Sequence, residues 1–207
     1  MIHIADLVVR RGRADVLSGF DARVADGESV RLAGPNGSGK STLLHVLAGL
    51  TAPAAGTVTV AGRPPGDPAV RALRGFVQEP PPLYEHLTTA EQLAFAAGVW
   101  GVPGTGLRER AESLGLTERL DVLVGDLSLG QRKKLGFLCA TAHTPRLLLL
   151  DEPFNGLDSA AETAVREELS RWRDQGTTLV VVSHSDSSVA GLVDRTIATA
   201  PPTAATS

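Results

Sequence analysis

The sequence predicts an α/β protein: a mostly parallel sheet packed by helices, with an antiparallel β layer at its N-terminal end and a helical subdomain inserted in the middle. Three observations carry this reading. Gly34-Pro35-Asn36-Gly37-Ser38-Gly39-Lys40-Ser41-Thr42 joins an apolar strand-like run, Ser29 to Ala33, to a helix-like one, Leu43 to Ala48. Leu147-Leu148-Leu149-Leu150 ends in Asp151, as a central parallel strand does when both faces are buried and a carboxylate sits at its C-terminal edge. Between the two, from Glu79 to about Thr141, the chain reads as helices broken by glycine and proline.

In chain order, Ile2 to Arg10 predicts a strand, Arg11-Gly12-Arg13 a turn and Val16-Leu17 a short return. Asp21 to Ala25 and Ser29 to Ala33 predict further strands, with Asp26-Gly27 as a tight hairpin connection between them. Gly49 and Pro53 stop the first helix, and Thr57-Val58-Thr59-Val60 alternates as an edge strand does. Pro68 to Leu73 suggests a short helix and Gly75 to Gln78 a strand. Thr88 and Glu91 have capping-box spacing, so a helix should start at Thr88 or Thr89 and fade by Gly101. Leu107 to Leu114 and Thr117 to Val122 are shorter helical pieces, and Ser128 opens a longer one through Cys139. Asp158 and Ser159 cap a helix carrying Ala161, Val165, Leu169 and Trp172 at helical spacing, and Gly176 ends it. Thr178 to Val182 is a second buried strand, and Asp194 to Thr199 a last one. The expected division is a core of residues 1–78 and 142–200, a helical subdomain at 79–141 and a disordered tail at 201–207.

Composition narrows the classes. A chain of 207 residues suits one such domain and leaves no room for a second nucleotide-binding unit. With 23 acids against 20 bases the net charge is −3, so no nucleic-acid partner is expected. The single cysteine, Cys139, reads as a small buried side chain, in keeping with a reducing compartment. No signal peptide is expected at Met1 to Asp6, and the most membrane-like window, Leu93 to Val102, is too short to span a bilayer. Work at a membrane would therefore go through a partner.

The chemistry gathers where strands meet helices. The first motif is the G-x-x-x-x-G-K-[ST] phosphate loop. Gly34, Gly37 and Gly39 permit a turn that a Cβ would hinder and let the backbone approach phosphate oxygens; Pro35, Asn36 and Ser38 complete the loop. Lys40 would reach the β- and γ-phosphates, Ser41 would offer its hydroxyl to Mg²⁺, and the helix that continues through Thr42 would aim its positive end at the same charge. Asp151 sits where a Mg²⁺-holding acid sits, directly or through water. Glu152, one residue on, is placed to polarise a water attacking the γ-phosphate. Gln78 and His184 end two other predicted strands, so a parallel sheet gathers them at the same edge.

Leu127-Ser128-Leu129-Gly130-Gln131, at the entrance of a helix and upstream of Asp151-Glu152-Pro153, resembles the signature of ATP-binding cassette (ABC) ATPases. The resemblance covers nearly the whole chain: the phosphate loop, Gln78 as the Q-loop glutamine, the signature, Asp151-Glu152, a D-loop-like Asn155-Gly156-Leu157-Asp158, and His184 as the H-loop switch. It implies a RecA-like P-loop NTPase core that uses ATP and Mg²⁺, with Glu152 as base, His184 on the γ-phosphate, and Gln78 coupling metal and nucleotide to the helical subdomain. It also implies a second copy or a close paralogue, because in such ATPases each ATP lies between the phosphate loop of one chain and the signature of the other, here Ser128, Gly130 and Gln131. Arg132, Lys133 and Lys134 follow in that helix's first turns, where positive charge opposes the dipole; a solvated basic face is the simpler reading, phosphate contact the sharper one.

Two positions depart from the family pattern. Arg11 stands in the region where an aromatic residue usually stacks on adenine, and its guanidinium plane can take that place; Leu129 stands where glycine is commoner. The proline-bearing loop from Glu79 to Thr88 is the candidate docking surface for a permease. The wording Leu83 to Thr88 is similar to ATPase subunits of small bacterial exporters of the haem or the drug and polyketide type. The resemblance thus implies a transporter ATPase, cytoplasmic and held at the inner membrane face by its permease. The rival is an ABC ATPase that remodels a soluble assembly, disfavoured by the acidic balance and the lack of heptads or a basic arm. A nucleotide-binding adaptor without turnover is disfavoured by the joint presence of Lys40, Asp151, Glu152 and His184.

Overall fold

The computed structural model describes residues 1–12 and 14–200; the expected disordered tail and Arg13 of the first turn lie outside the described residues. Strand β1 (Ile2–Arg11) pairs antiparallel with β2 (Ala14–Val24), and β3 (Ser29–Ala33) leads through the phosphate loop into helix α1 (Lys40–Leu47). Next come β4 (Ala55–Val60), α2 (Pro68–Leu73) and β5 (Arg74–Val77). Helices α3 (Thr89–Trp100), α4 (Gly104–Ser113) and α5 (Leu129–Ala140) form the insert, joined by 3₁₀ turns at Thr117–Arg119 and Val124–Asp126. The chain closes with β6 (Leu147–Asp151), α6 (Ser159–Asp174), β7 (Thr178–Val182), α7 (Asp186–Val189) and β8 (Arg195–Ala198).

Two sheets result. The first is antiparallel, in the order β2-β1-β4, and the second parallel, in the order β5-β6-β7-β3-β8. The predicted α/β class, with its antiparallel layer, parallel sheet and helical insert, is the observed one. The four-leucine strand shows why it reads as central: alternate side chains point to opposite faces, so Leu148 and Leu150 enter one core with α5 and α6, while Leu147 and Leu149 enter the other with α1 and the antiparallel sheet.

Local chemistry sets several boundaries. Thr88 and Ser128 each form a capping box, with Glu91 and Gln131 returning the bond to the cap backbone. Asp158 caps α6 by accepting from the Ala161 N–H at 2.8 Å. One expectation fails: Asp26-Gly27 is not a hairpin, because β2 and β3 belong to different sheets. The connection crosses between layers instead, with the Gly27 N–H donating to Thr178 Oγ1 at 2.8 Å. Thr117 to Val122 is helical only over Thr117–Arg119, as a 3₁₀ turn. Among the described residues no helix is long and apolar enough to cross a membrane.

Candidate active site

Parallel strands end on one edge, and that edge collects the chemistry. The neighbouring strands β5, β6, β7 and β3 deliver Gln78, Asp151-Glu152, His184 and the phosphate loop respectively. The loop is built from positive-φ glycines at 34, 37 and 39, with φ of 159°, 80° and 89°. A side chain at Gly39 would also strike Leu17, 2.7 Å away, so the β1–β2 hairpin that ends in Arg11 leans on the loop. At Gly37 a Cβ would meet nothing within 4 Å, so there the backbone itself faces open space. Gly39 caps α1 without a side-chain bond, and no acid occupies the first turn. The N–H groups of that turn and the positive helix end remain available to an anion.

Lys40 is buried and folds over the loop, its ammonium donating to the Gly34 and Pro35 carbonyls at 2.8 and 3.0 Å. The Ser41 hydroxyl donates to Asp151 Oδ1 at 3.2 Å. That pairing joins two hard oxygen donors from the loop and the central strand, the donor type Mg²⁺ prefers. Burial pushes the Asp151 carboxyl above its ordinary value, against the hydrogen bond from Ser41.

Glu152 is the strained member. Its φ of 45° is left-handed, a conformation costing a non-glycine residue about 1–2 kcal/mol. Its N–H donates to the Val182 carbonyl at 3.0 Å, tying it to β7. Its Oε2 accepts from the His184 N–H at 3.4 Å, and Oε1 lies 3.3 Å from His184 Nε2. That second approach lacks hydrogen-bond alignment, so Oε1 is a buried carboxylate oxygen with no hydrogen bond among the described residues. Burial pushes the Glu152 carboxyl up, opposed first by the charge of His184.

Ser128, Gly130 and Gln131 stand apart from this cluster at the start of α5. Ser128 is exposed, its hydroxyl accepting from the Gln131 N–H at 3.3 Å, and Leu129 is 48% exposed. A Cβ on Gly156 would lie 2.7 Å from Leu129 Cδ2, so the D-loop-like segment packs directly beneath the leucine. The neighbouring cations do not form one solvated face. Arg132 bonds the Gly125 and Leu127 carbonyls and the Glu85 carboxylate. Lys133 is buried, paired with the Glu79 carboxylate and donating to the Glu152 carbonyl at 3.0 Å. Contacts outside the helix, Glu85 for Arg132 and Glu79 and Glu152 for Lys133, hold these two cations in place of the helix dipole.

Other supporting residues escaped the sequence. Thr199, just past β8, shares a 2.7 Å hydroxyl contact with Ser38 and donates its N–H to the Ala33 carbonyl at 2.7 Å, buttressing the loop. Arg31 pairs with Asp186 and donates to the Ser183 carbonyl at 3.0 Å, holding the segment that carries His184. A charge inside an otherwise apolar strand was the only sign of Arg31. Cys139 is partly buried and its thiol is pushed up to about 12 by burial, so it stays protonated.

Comparison with known proteins matches these features. The family model described as ABC transporter matches residues 17–155, a span holding the phosphate loop, the Ser128 signature and Asp151-Glu152. The chain is 35% identical over 201 residues to the ABC transporter ATP-binding protein YdbJ of Bacillus subtilis, covering 95% of this chain but only 65% of that protein. It is 39% identical over 195 residues to the lipoprotein-releasing system ATP-binding protein LolD of Gluconobacter oxydans, covering 88% and 84%. A solved dimeric, post-hydrolysis ATP-binding cassette bound to ADP and phosphate superposes with a TM-score of 0.83 at 26% identity, over 96% of this chain and 94% of that one. Sheet order, loop geometry and the matched span agree: the chain belongs to the ABC transporter family.

Proposed function

We propose that this chain binds and hydrolyses ATP as the cytoplasmic subunit of a transporter, two copies closing head to tail around two ATP molecules to drive a separate membrane permease. The observation that carries the catalytic part is the buried Oε1 of Glu152, which accepts no hydrogen bond among the described residues and lies on the same sheet edge as Lys40 and Asp151. Such an oxygen is a proton acceptor held ready for a water. The loop N–H groups and Lys40 bind the phosphates, with the ammonium leaving the Gly34 and Pro35 carbonyls for phosphate oxygens. Glu152 takes a proton from the water as its oxygen bonds to the γ-phosphorus; the bond from that phosphorus to the bridging oxygen breaks, and ADP and phosphate leave. His184, beside Glu152, orients the γ-phosphate.

Ser41 and Asp151 would hold Mg²⁺, with Gln78 at its outer edge; bound there, the ion would draw negative charge from the β- and γ-phosphates. Arg11 would stack on the base. Ser128, exposed at the start of α5, and the half-buried Gly130 and Gln131 after it would close the partner's nucleotide site through the helix N–H groups.

For the permease, the loop at 79–88 offers Tyr84, 48% exposed and edge-to-face with Phe95 at 5.2 Å, which is 47% exposed. A groove of 510 Å³ lined by Leu50, Phe76, Gln78, Val99 and Trp100 opens beside Gln78. Export is the direction supported by the lipoprotein-releasing relative. Steady-state phosphate release tests the reading. The wild-type chain should turn over MgATP and Glu152→Gln should not; equal rates in the two would overturn it.

A further inference from the structure

We infer that Lys133 is a positioning residue for Glu152, an internal strut through which the seat of the signature-bearing helix sets the hydrolytic carboxylate of the same chain. The inference rests on the reading of Glu152 as the base. The Lys133 side chain is 6% exposed, and an ammonium is taken so far from water only where partners offset the loss. It has two. One is the carboxylate of Glu79, next to Gln78 on the loop that leaves β5; the other is the backbone carbonyl of Glu152, at 3.0 Å. The side chain lines a small cleft together with Val77, Pro81, Phe137 and Pro153. Pro81 packs so closely on α5 that a Cβ at Gly136 would come within 2.5 Å of it.

The Glu152 carbonyl is the informative partner. Glu152 holds a left-handed φ, and its direction toward His184 depends on keeping it. Its N–H is fixed by Val182 of β7 and its C=O by Lys133, so both peptide groups flanking the Cα are pinned, one by the core and one by the insert. Lys133 lies five residues after Ser128 on one rigid helix, about 7.5 Å along its axis. Any movement of α5 made when Ser128 meets the partner's nucleotide therefore reaches the Glu152 backbone directly. One helix thus serves the partner's site at its tip and its own chain's site one and a half turns later.

The test compares K133M/E79Q with E79Q, so that no carboxylate is left unpaired by the loss of the ammonium. Steady-state kinetics should show kcat down by about tenfold or more with KM for ATP within roughly twofold, because Lys133 touches no loop residue that binds phosphate. The two variants should melt within a few degrees of one another. A kcat within about twofold of E79Q would overturn the inference, as would a loss carried by KM alone. If wild type releases no phosphate, the reading of Glu152 fails first; an active wild type beside an unaffected K133M/E79Q sinks only the role of Lys133.

Discussion

Under the proposed function, Glu152 and Lys40 divide the work at the smallest scale, one as proton acceptor and the other as the charge that meets phosphate. Glu152→Gln keeps the shape of the side chain and removes the acceptor. Turnover should fall by about 10²–10⁴-fold while ATP still binds, measured by phosphate release and by calorimetry. Because burial raises the Glu152 carboxyl, the acidic limb of the rate profile should have its midpoint above the ordinary 4.5, activity falling as pH drops through it. A limb at or below 4.5 would mean another group controls the rate. Lys40→Ala should weaken ATP binding by about tenfold or more, since no other ammonium lies in the loop to meet phosphate oxygens; equal affinity by calorimetry would refute this. The residues of the phosphate loop and the acid pair were legible because their chemistry is local: glycine torsions, a helix start and a strand end lie within a few positions. Thr199, Arg31 and Glu79 were not, because each acts through a neighbour that only the folded sheet supplies.

At the scale of elements, the insert is fastened to the core by charge as well as by apolar packing. Arg110 of α4 bonds Glu168 of α6 at 3.1 Å and the Thr141 hydroxyl at 2.6 Å, while Arg171 pairs with the same glutamate and Arg110 lies over the Trp172 ring. Burial pushes the Glu168 carboxyl up, but the hydrogen bond from Arg171 and the charges of Arg110 and Arg171 outweigh it and hold it below the ordinary 4.5. A carboxyl depressed on folding contributes stability above its unfolded value and loses it as pH falls through the folded one. Glu168→Gln should therefore cost about 2–3 kcal/mol at neutral pH, roughly 5–10 °C in Tm, and the gap from wild type should close as pH drops below 4.5. A gap independent of pH would contradict the account. Gly136→Ala should cost about 1–3 kcal/mol through its clash with Pro81; unchanged Tm would refute that packing. Capping boxes at Thr88 and Ser128 were readable because cap and return partner sit three residues apart. The Asp26-Gly27 connection was misread because a turn dipeptide between two strands looks the same whether they pair or part into separate layers.

At the scale of the whole molecule, the alternating leucines of β6 feed two cores, one fixing the phosphate loop and the other seating the helical insert. That division separates two parts of one chain: the phosphate loop lies at the sheet edge, where the proposed function places the phosphates, while Ser128 presents an exposed helix start with no phosphate loop beside it in its own sequence. On the proposed function, each half would take its counterpart from a second molecule. The direct measurement is the molar mass of Glu152→Gln by light scattering, with and without saturating MgATP. Twice the chain mass of 21.6 kDa, appearing only with nucleotide, is the predicted result, and a single-chain mass under both conditions would contradict it.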